Sequence, residues 1–215
     1  IQNQKICRKP LLQIEWETET TKKGGYSHYM IKEIFDEPQT VRHALDVPRQ
    51  EIQELALMFS KASRGYLTGV GTTFYVCQAA QYFFSRLSGR YFPSVSSDEF
   101  AGVVTLHEGD LVLAVSQSGE TFDTKTALNS AQNQGAVTAA IVNVMGSTIS
   151  RMTDHVIMQG SGPEICVVST KAALAQAVLL LRTSLELGLI EGELNEDDYA
   201  SLEKDLNVFP EVLSI

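Results

Sequence analysis

The chain has 215 residues, a length that suits one α/β domain with short extensions and is too short for several large domains. Its 44% hydrophobic and 20% charged residues exclude an intrinsically disordered chain. The formal net charge of -9 argues against nucleic acid as a partner, and it requires that any anionic ligand be held locally by backbone amides and hydroxyls. The longest apolar run, residues 172–181, is interrupted by Gln176 and falls short of the roughly 18 residues of a membrane span, so we expect no membrane partner.

The cysteines Cys7, Cys77 and Cys166 are odd in number and form no CxxC or Cys/His cluster. This pattern predicts neither a disulfide framework nor a metal site, and it favours a reducing, cytoplasmic setting. No Walker or GxGxxG motif is present, and no cofactor is predicted.

The first predicted elements precede the regular part of the chain. Residues 1–32 are polar and contain a KKGG segment, which is typical either of a flexible tail or of a linker arriving from an upstream domain. The absence of an initiator Met favours the linker. A helix is predicted over residues 32–45 despite Pro38, and a second helix is predicted from Pro48 onward.

From residue 65 onward, short apolar segments alternate with helical patterns. Strands are predicted at residues 65–70, 91–95, 111–115, 137–142 and 155–158. Helices are predicted at residues 74–87, 122–134, 169–187 and 195–208, with one helical turn within 97–103, and Gly135 and Gly188 are expected to end two of them. This alternation predicts a three-layer αβα sandwich of the flavodoxin-like type around a five-stranded parallel sheet.

Two loops that follow predicted strands carry an unusual number of hydroxyls. Residues 69–73 read GVGTT, and residues 116–121 read SQSGET. Ligands of open parallel sheets bind at the carboxyl ends of the strands, where helix N-termini offer free N–H groups to a phosphate. One hydroxyl would suffice for ordinary helix capping. Two such loops on neighbouring strands favour phosphate binding over capping alone.

A third segment, VVSTK at residues 167–171, opens the helix predicted at 169–187. Ser169 is expected as its N-cap. Lys171 lies in the first turn, where a cation opposes the helix dipole. It is expected to pair with Glu164 or extend into solvent, with direct ligand contact as the alternative. For Glu120, in another first turn, dipole stabilisation is the expected role.

These segments resemble the SIS (sugar isomerase) domain family. Residues 116–121 match its SQSGET loop, residues 71–73 resemble its G-T-S turn, and residues 164–171 resemble its E-I-G-V-A-S-T-K segment. Residues 24–34 (GGYSHYMIKEI) resemble the segment that leads into the isomerase region of glutamine–fructose-6-phosphate aminotransferases, after their glutaminase domain. The resemblance covers about residues 10–190 and implies a sugar-phosphate site.

Carried over position by position, the resemblance implies two groups of ligand contacts. The implied phosphate contacts are Thr73, Ser116, Gln117, Ser118 and Thr121. The implied sugar contacts are Thr72, the Val167 backbone and Ser169, with Lys171 a neighbour of the site. This sequence departs from the family pattern with Thr73 and Asp98 in place of serines and Cys166 in place of a glycine.

The resemblance also implies a domain organisation and partners. Residues 1–32 would form an arm from an upstream glutaminase domain, residues 33–192 an SIS domain, and residues 193–215 a helix leading to a second SIS domain. The implied ligand is fructose 6-phosphate or glucosamine 6-phosphate, and the implied assembly is a homodimer. The family's acid–base and Schiff-base residues lie in the other domains, so no catalytic residue is assigned here and the chain alone is expected to be inactive. A stand-alone regulatory SIS module and a fructosamine deglycase-type relative are the alternatives.

Overall fold

The computed structural model describes residues 22–214; most of the predicted arm, with Cys7, lies outside the described residues. Its strands are β1 Gly65–Gly69, β2 Ser94–Ser96, β3 Leu111–Ser116, β4 Val137–Val142 and β5 His155–Met158. Its helices are α1 Tyr29–Phe35, α2 Glu37–Leu45, α3 Arg49–Lys61, α4 Thr72–Leu87, α5 Ser97–Val103, α6 Phe122–Asn133, α7 Thr148–Met152, α8 Lys171–Glu191 and α9 Glu196–Leu213. The five predicted strands are all present, and α7 is a helix that the sequence pattern did not reveal.

The strands form one parallel sheet in the order β2-β1-β3-β4-β5. This is the flavodoxin-like order, so the predicted fold class is confirmed. The chain leaves β1 toward one edge of the sheet and returns to β3 on the other side of β1. The strand order therefore switches between β1 and β3, which are the two strands that the hydroxyl-rich loops follow.

Helices cover both faces of the sheet. Alternate residues of β3 enter two separate apolar clusters: Leu113 packs with α2, α3, α4 and α8, while Val112 packs with α5, α6 and α7. Each fully buried leucine or isoleucine contributes about 1.5–3 kcal/mol relative to an exposed one. Because both faces are buried, the strands are continuous apolar runs instead of alternating ones.

Helix α8 is the central helix of the larger cluster. By length and composition it is apolar enough to cross a membrane, but most of it is buried against α2, α3 and α4. It also carries buried polar residues, including Gln176 and Glu186. The Glu186 carboxylate accepts hydrogen bonds from Arg49, Gln53 and Tyr199, and so joins α3, α8 and α9. These contacts identify α8 as the core helix of this fold.

The single helix predicted over residues 32–45 is wrong, because two helices meet at Asp36. Pro38 lies in the first turn of α2, where its fixed φ is suitable and its missing N–H leaves no intrahelical bond unmade. The prediction that Gly188 ends the helix over residues 169–187 is also wrong. Helix α8 continues to Glu191 and ends at Gly192, which has a φ of +77°.

Gly188 has a packing role inside α8. A Cβ at this position would lie 2.8 Å from Leu194 Cδ1 and even closer to the carbonyl oxygen of Leu87, at the end of α4. The missing side chain therefore allows α4 and α8 to approach closely, which is a tertiary requirement that a helix-end pattern does not reveal.

Candidate functional site

A cavity of about 380 Å³ opens at the carboxyl edge of the sheet, between the loops that follow β1 and β3 and the segment that leads into α8. All eight residues assigned by resemblance line it: Thr72, Thr73, Ser116, Gln117, Ser118, Thr121, Val167 and Ser169. The fold thus brings together three segments that lie up to 97 positions apart in sequence, as the distance from Thr72 to Ser169 shows. Their ligand roles remain predictions.

The loop after β1 depends on two glycines. Gly71 has φ 61° and ψ -129°, a conformation that side chains rarely adopt. A Cβ at Gly69 would lie 2.8 Å from Thr73 Cγ2, so the missing side chain lets α4 start close to the strand. Gly71 is the N-cap of α4 and has no side chain with which to cap it. The first N–H groups of α4 therefore remain available at the cavity.

The loop after β3 is organised by its own serines. Ser116 Oγ accepts a hydrogen bond from the Gly119 N–H at 3.1 Å, and Ser118 Oγ accepts one from the Glu120 N–H at 3.1 Å. Thr121 Oγ1 lies 3.3 Å from Ser116 Oγ. Since the serine oxygens already accept from the backbone, their O–H groups can donate to a ligand in the cavity.

Helix α6 begins directly after this loop. Its N-cap is Thr121, whose side chain makes no capping hydrogen bond. The capping alternative therefore does not account for the hydroxyls in this loop. Two helices, α4 and α6, direct N-termini without side-chain caps at one cavity, and each carries about half a positive charge. Such an arrangement suits a phosphate dianion without a lysine or arginine.

The segment before α8 corrects one prediction. Ser169 is not the N-cap; Thr170 is, and Ser169 Oγ is buried at the cavity without a hydrogen-bond partner in the described residues. The Glu164 carboxylate accepts from the N–H groups of Thr170 and Ala172 at 2.9 and 3.0 Å. Helix α8 is thus capped by a carboxylate six residues upstream of Thr170, and Ser169 is left to face the cavity.

The two charged residues singled out in the sequence have partners other than those expected. Lys171 is 5% exposed and pairs with Asp36 of the α1–α2 junction at 3.2 Å, not with Glu164 or solvent. Glu120 accepts from the N–H and Oγ1 of Thr148 at 2.7 and 2.8 Å, so it caps α7 and not α6. These backbone and hydroxyl hydrogen bonds hold the pKa of Glu120 below its usual value.

Sequence reasoning missed several residues that line the cavity. They include Thr124, Glu164, Cys166 and Val168. Thr124 could have been found from its spacing, because it lies one helical turn after Thr121. Asp98, noted as a departure from the family pattern, does not line the cavity; its carboxylate bonds Ser96 instead. Among residues 22–214 no cluster of three or more metal-ligating side chains occurs.

Comparison with known proteins agrees with this geometry. A family model described as "SIS domain" matches residues 58–183. The chain is 39% identical over 210 residues to the glutamine–fructose-6-phosphate aminotransferase of Methanococcus maripaludis, covering 98% of this chain and 34% of that protein. It is 35% identical to the enzyme of the same name from Fusobacterium nucleatum, covering 97% of this chain and 36% of that one. The chain therefore spans about a third of these relatives.

Among solved structures, the C-terminal domain of glucosamine-fructose-6-phosphate aminotransferase from Francisella tularensis superposes with a TM-score of 0.80 at 27% identity. The superposition covers 88% of this chain and 55% of that domain. Sequence and structural comparisons thus point to the same isomerase region. The family match extends over more than half of the chain and includes the loops after β1 and β3. The chain belongs to the SIS domain family.

Proposed function

We propose that this chain is the sugar-phosphate-binding half of the isomerase region of a glutamine–fructose-6-phosphate aminotransferase. The observation that carries the proposal is the convergence of the α4 and α6 N-termini, without side-chain caps, on a cavity that is lined by hydroxyls and, within residues 22–214, by no lysine or arginine. The relatives from Methanococcus and Fusobacterium support the choice of enzyme over a stand-alone regulatory module or a deglycase.

The two parts of the cavity suit the two parts of a hexose 6-phosphate. The phosphate would lie at the start of α6, against Ser116, Gln117, Ser118 and Thr121, with Thr73 closing it from α4. The sugar hydroxyls would extend toward Thr72, Ser169 and the Val167 backbone. Ser169 Oγ, buried and unpartnered within the described chain, would gain its missing hydrogen bond from such a hydroxyl.

In the complete enzyme, fructose 6-phosphate and ammonia from glutamine would yield glucosamine 6-phosphate. The phosphate does not react, so its binding energy can be used to position the reacting carbons. This chain would supply that positioning, while proton transfer would belong to the other domains. We accordingly propose that this chain supplies the contacts to the sugar phosphate and that the chain alone forms no glucosamine 6-phosphate.

Calorimetric titration tests the binding site. Fructose 6-phosphate, glucosamine 6-phosphate and inorganic phosphate would be titrated into the chain and into Ser118→Ala and Thr121→Ala. Each variant removes one hydroxyl donor to a charged group, worth about 1.5–3 kcal/mol, so affinity should fall about 10- to 100-fold. Thr126→Ala is the matched control, because Thr126 lies on the same helix but its hydroxyl bonds the Phe122 carbonyl, outside the cavity.

The results of this titration decide whether the loop at residues 116–121 holds the phosphate. Equal affinities for Ser118→Ala and the Thr126→Ala control would show that the loop does not hold the phosphate. If the folded chain binds none of the three ligands, the titration would be repeated on a chain extended through its second SIS domain. Failure of that longer protein to bind would refute the proposal.

Two further features are proposed with this function. We propose a homodimer, because α1 leaves Met30, Ile34 and Phe35 largely exposed and these apolar side chains would gain from coverage. We propose a cytoplasmic setting, because Cys77 and Cys166 are free thiols. Sedimentation equilibrium of the chain and of Phe35→Glu tests the first feature: a monomeric wild type would contradict it.

A further inference from the structure

The cavity wall at residues 167–169 has little apolar anchoring of its own. Val167 is 98% exposed and Val168 is 52% exposed, so neither side chain holds the backbone in place by burial. Ser169 Oγ has no hydrogen-bond partner among the described residues. Something else must fix the position of this wall, because its backbone and Ser169 hydroxyl face the space assigned to the sugar.

Glu33 bonds both ends of this wall, while Glu164 bonds its C-terminal end at Thr170. Glu33, in α1, is only 2% exposed. Its Oε1 accepts hydrogen bonds from the N–H groups of Ile165 and Cys166 at 2.6 and 3.0 Å. Its Oε2 accepts one from Thr170 Oγ1 at 2.8 Å. Three charge-assisted bonds thus bracket residues 167–169 from one side chain that lies outside the cavity lining.

The same contacts hold α1 on the domain. Glu33 is the one buried residue of this seven-residue helix, whose apolar side chains Met30, Ile34 and Phe35 are 39–62% exposed, with Phe35 stacked on Tyr26. A second connection is ionic: Asp36, next to α1, pairs with Lys32 at 2.6 Å and with Lys171 of α8 at 3.2 Å. Because α1 has little apolar packing within its own protomer, its order on that domain depends strongly on the bonds that Glu33 makes to the wall.

We infer that Glu33 is a positioning residue that couples α1 to the sugar side of the cavity. It presents the Val167 backbone and Ser169 to the sugar while leaving the phosphate loop at residues 116–121 unaffected. Coupling between two sites is reciprocal, so a sugar that orders residues 167–169 must also order α1. The inference rests on the proposed function, because it names the element that sets the sugar half of that site.

Two ligands that share the phosphate distinguish this role from general stabilisation. Glu33→Ala and Glu33→Gln would be titrated with fructose 6-phosphate and with inorganic phosphate. We expect Glu33→Ala to lose about tenfold or more in affinity for the sugar phosphate, with Glu33→Gln losing less because its amide keeps one acceptor oxygen. Inorganic phosphate should bind both variants within about twofold of wild type. Glu37→Gln is the control, a carboxylate on the adjacent helix with no hydrogen bond to residues 164–170 in the described chain.

Hydrogen exchange supplies the reciprocal readout. In the wild type, fructose 6-phosphate should slow exchange of the α1 amides, whereas inorganic phosphate should not; in Glu33→Ala the protection by the sugar phosphate should disappear. If Glu33→Ala fails to fold, Thr170→Val and Thr170→Ser replace it, because the first removes and the second keeps the hydroxyl that bonds Glu33. The same hydroxyl lies 3.1 Å from Glu164 Oε1, but both variants keep the bonds that Glu164 accepts from the Thr170 and Ala172 N–H groups. Thr170→Val should then lose affinity for fructose 6-phosphate but not for inorganic phosphate, and Thr170→Ser should keep the affinity of the wild type.

The results that overturn the inference are distinct from failure of the proposed function. If neither the wild-type chain nor the longer protein with a second SIS domain binds either ligand, the proposed site itself is contradicted. A wild type that binds both, with variants that lose both ligands equally or lose neither, overturns the coupling. Unchanged α1 exchange on binding of fructose 6-phosphate to the wild type overturns it as well.

Discussion

Substitution of Gly119 by alanine tests whether the phosphate loop depends on a glycine for two separable reasons. Gly119 has a φ of +64°, where an alanine costs about 1–2 kcal/mol. A Cβ there would also lie 2.5 Å from Ser147 Cβ, with Ser147 Oγ closer still. Forcing an extra carbon into such a contact costs about 1–3 kcal/mol. The two effects together predict a loss of about 3 kcal/mol, and a Tm about 6–12 °C lower for a domain of this size.

Matched variants separate the two effects. Gly135 has a φ of +81° with open space around its Cβ position, so Gly135→Ala measures the backbone cost alone. Gly102 lies in α5 with open space and no positive φ, so Gly102→Ala should not destabilise the fold and should stabilise it by up to about 1 kcal/mol. In Gly119→Ala combined with Ser147→Gly, the steric contact is removed and the backbone cost stays. We expect this double variant to recover about half of the loss.

Urea unfolding monitored by circular dichroism gives the free energy of unfolding of each variant. Titration of the same proteins with phosphate measures the affinity of the loop. Because the Gly119 N–H bonds Ser116 Oγ, a displaced residue 119 should also weaken phosphate binding. The reasoning is refuted if Gly119→Ala costs no more than Gly135→Ala, within about 0.5 kcal/mol. It is refuted equally if Ser147→Gly gives no recovery.

Two further predictions concern the rest of the domain. Gly188→Ala should lower the free energy of unfolding by about 3 kcal/mol or more, because its Cβ would overlap the Leu87 carbonyl oxygen; a smaller loss in urea would show that α4 and α8 can separate without cost. Burial raises the pKa of Asp110, but hydrogen bonds from Arg64 and the His107 N–H outweigh it and keep the pKa below its usual value. Asp110 therefore stabilises the fold above about pH 4, and this contribution is lost as the pH falls through the folded pKa. The free energy of unfolding, measured from pH 7 to 3, should fall less steeply with decreasing pH in Asp110→Asn than in the wild type. An equal pH dependence in both proteins would contradict this.

The sheet and the phosphate loop could be predicted from the sequence because neighbouring residues specify both. Strand β3 is a continuous apolar run, and the SQSGET segment follows it at once, so neighbouring residues specify both the strand and the chemistry at its end. The end of α8 was not encoded in this way. The sequence pattern favoured Gly188 as the C-cap, and only the contact with Leu87, 101 positions away, shows that Gly188 belongs inside the helix.

Pairing between distant charges could not be read from spacing either. Glu164 lies close enough in sequence to pair with Lys171, yet it caps α8 while Lys171 pairs with Asp36, 135 positions earlier. Glu33 accepts a hydrogen bond from the N–H of Ile165, which lies 132 positions later in the sequence. Such contacts depend on how α1 and α2 fold back against α8, which local patterns do not specify.

These carboxylates also explain how a chain with a net charge of -9 can offer an anion site. The Glu120 carboxylate accepts a hydrogen bond from the first N–H of α7. The Glu164 carboxylate accepts hydrogen bonds from N–H groups at the start of α8. The N-termini of these two helices are therefore neutralised by side chains. In the described part of the chain no side chain caps α4 or α6, although Asp123 lies in the first turn of α6, and both N-termini face the cavity between β1 and β3. Because hydrogen bonding and dipole effects act within about one helical turn, the N–H groups and hydroxyls that two helix N-termini bring to this cavity can attract an anion despite the negative overall charge.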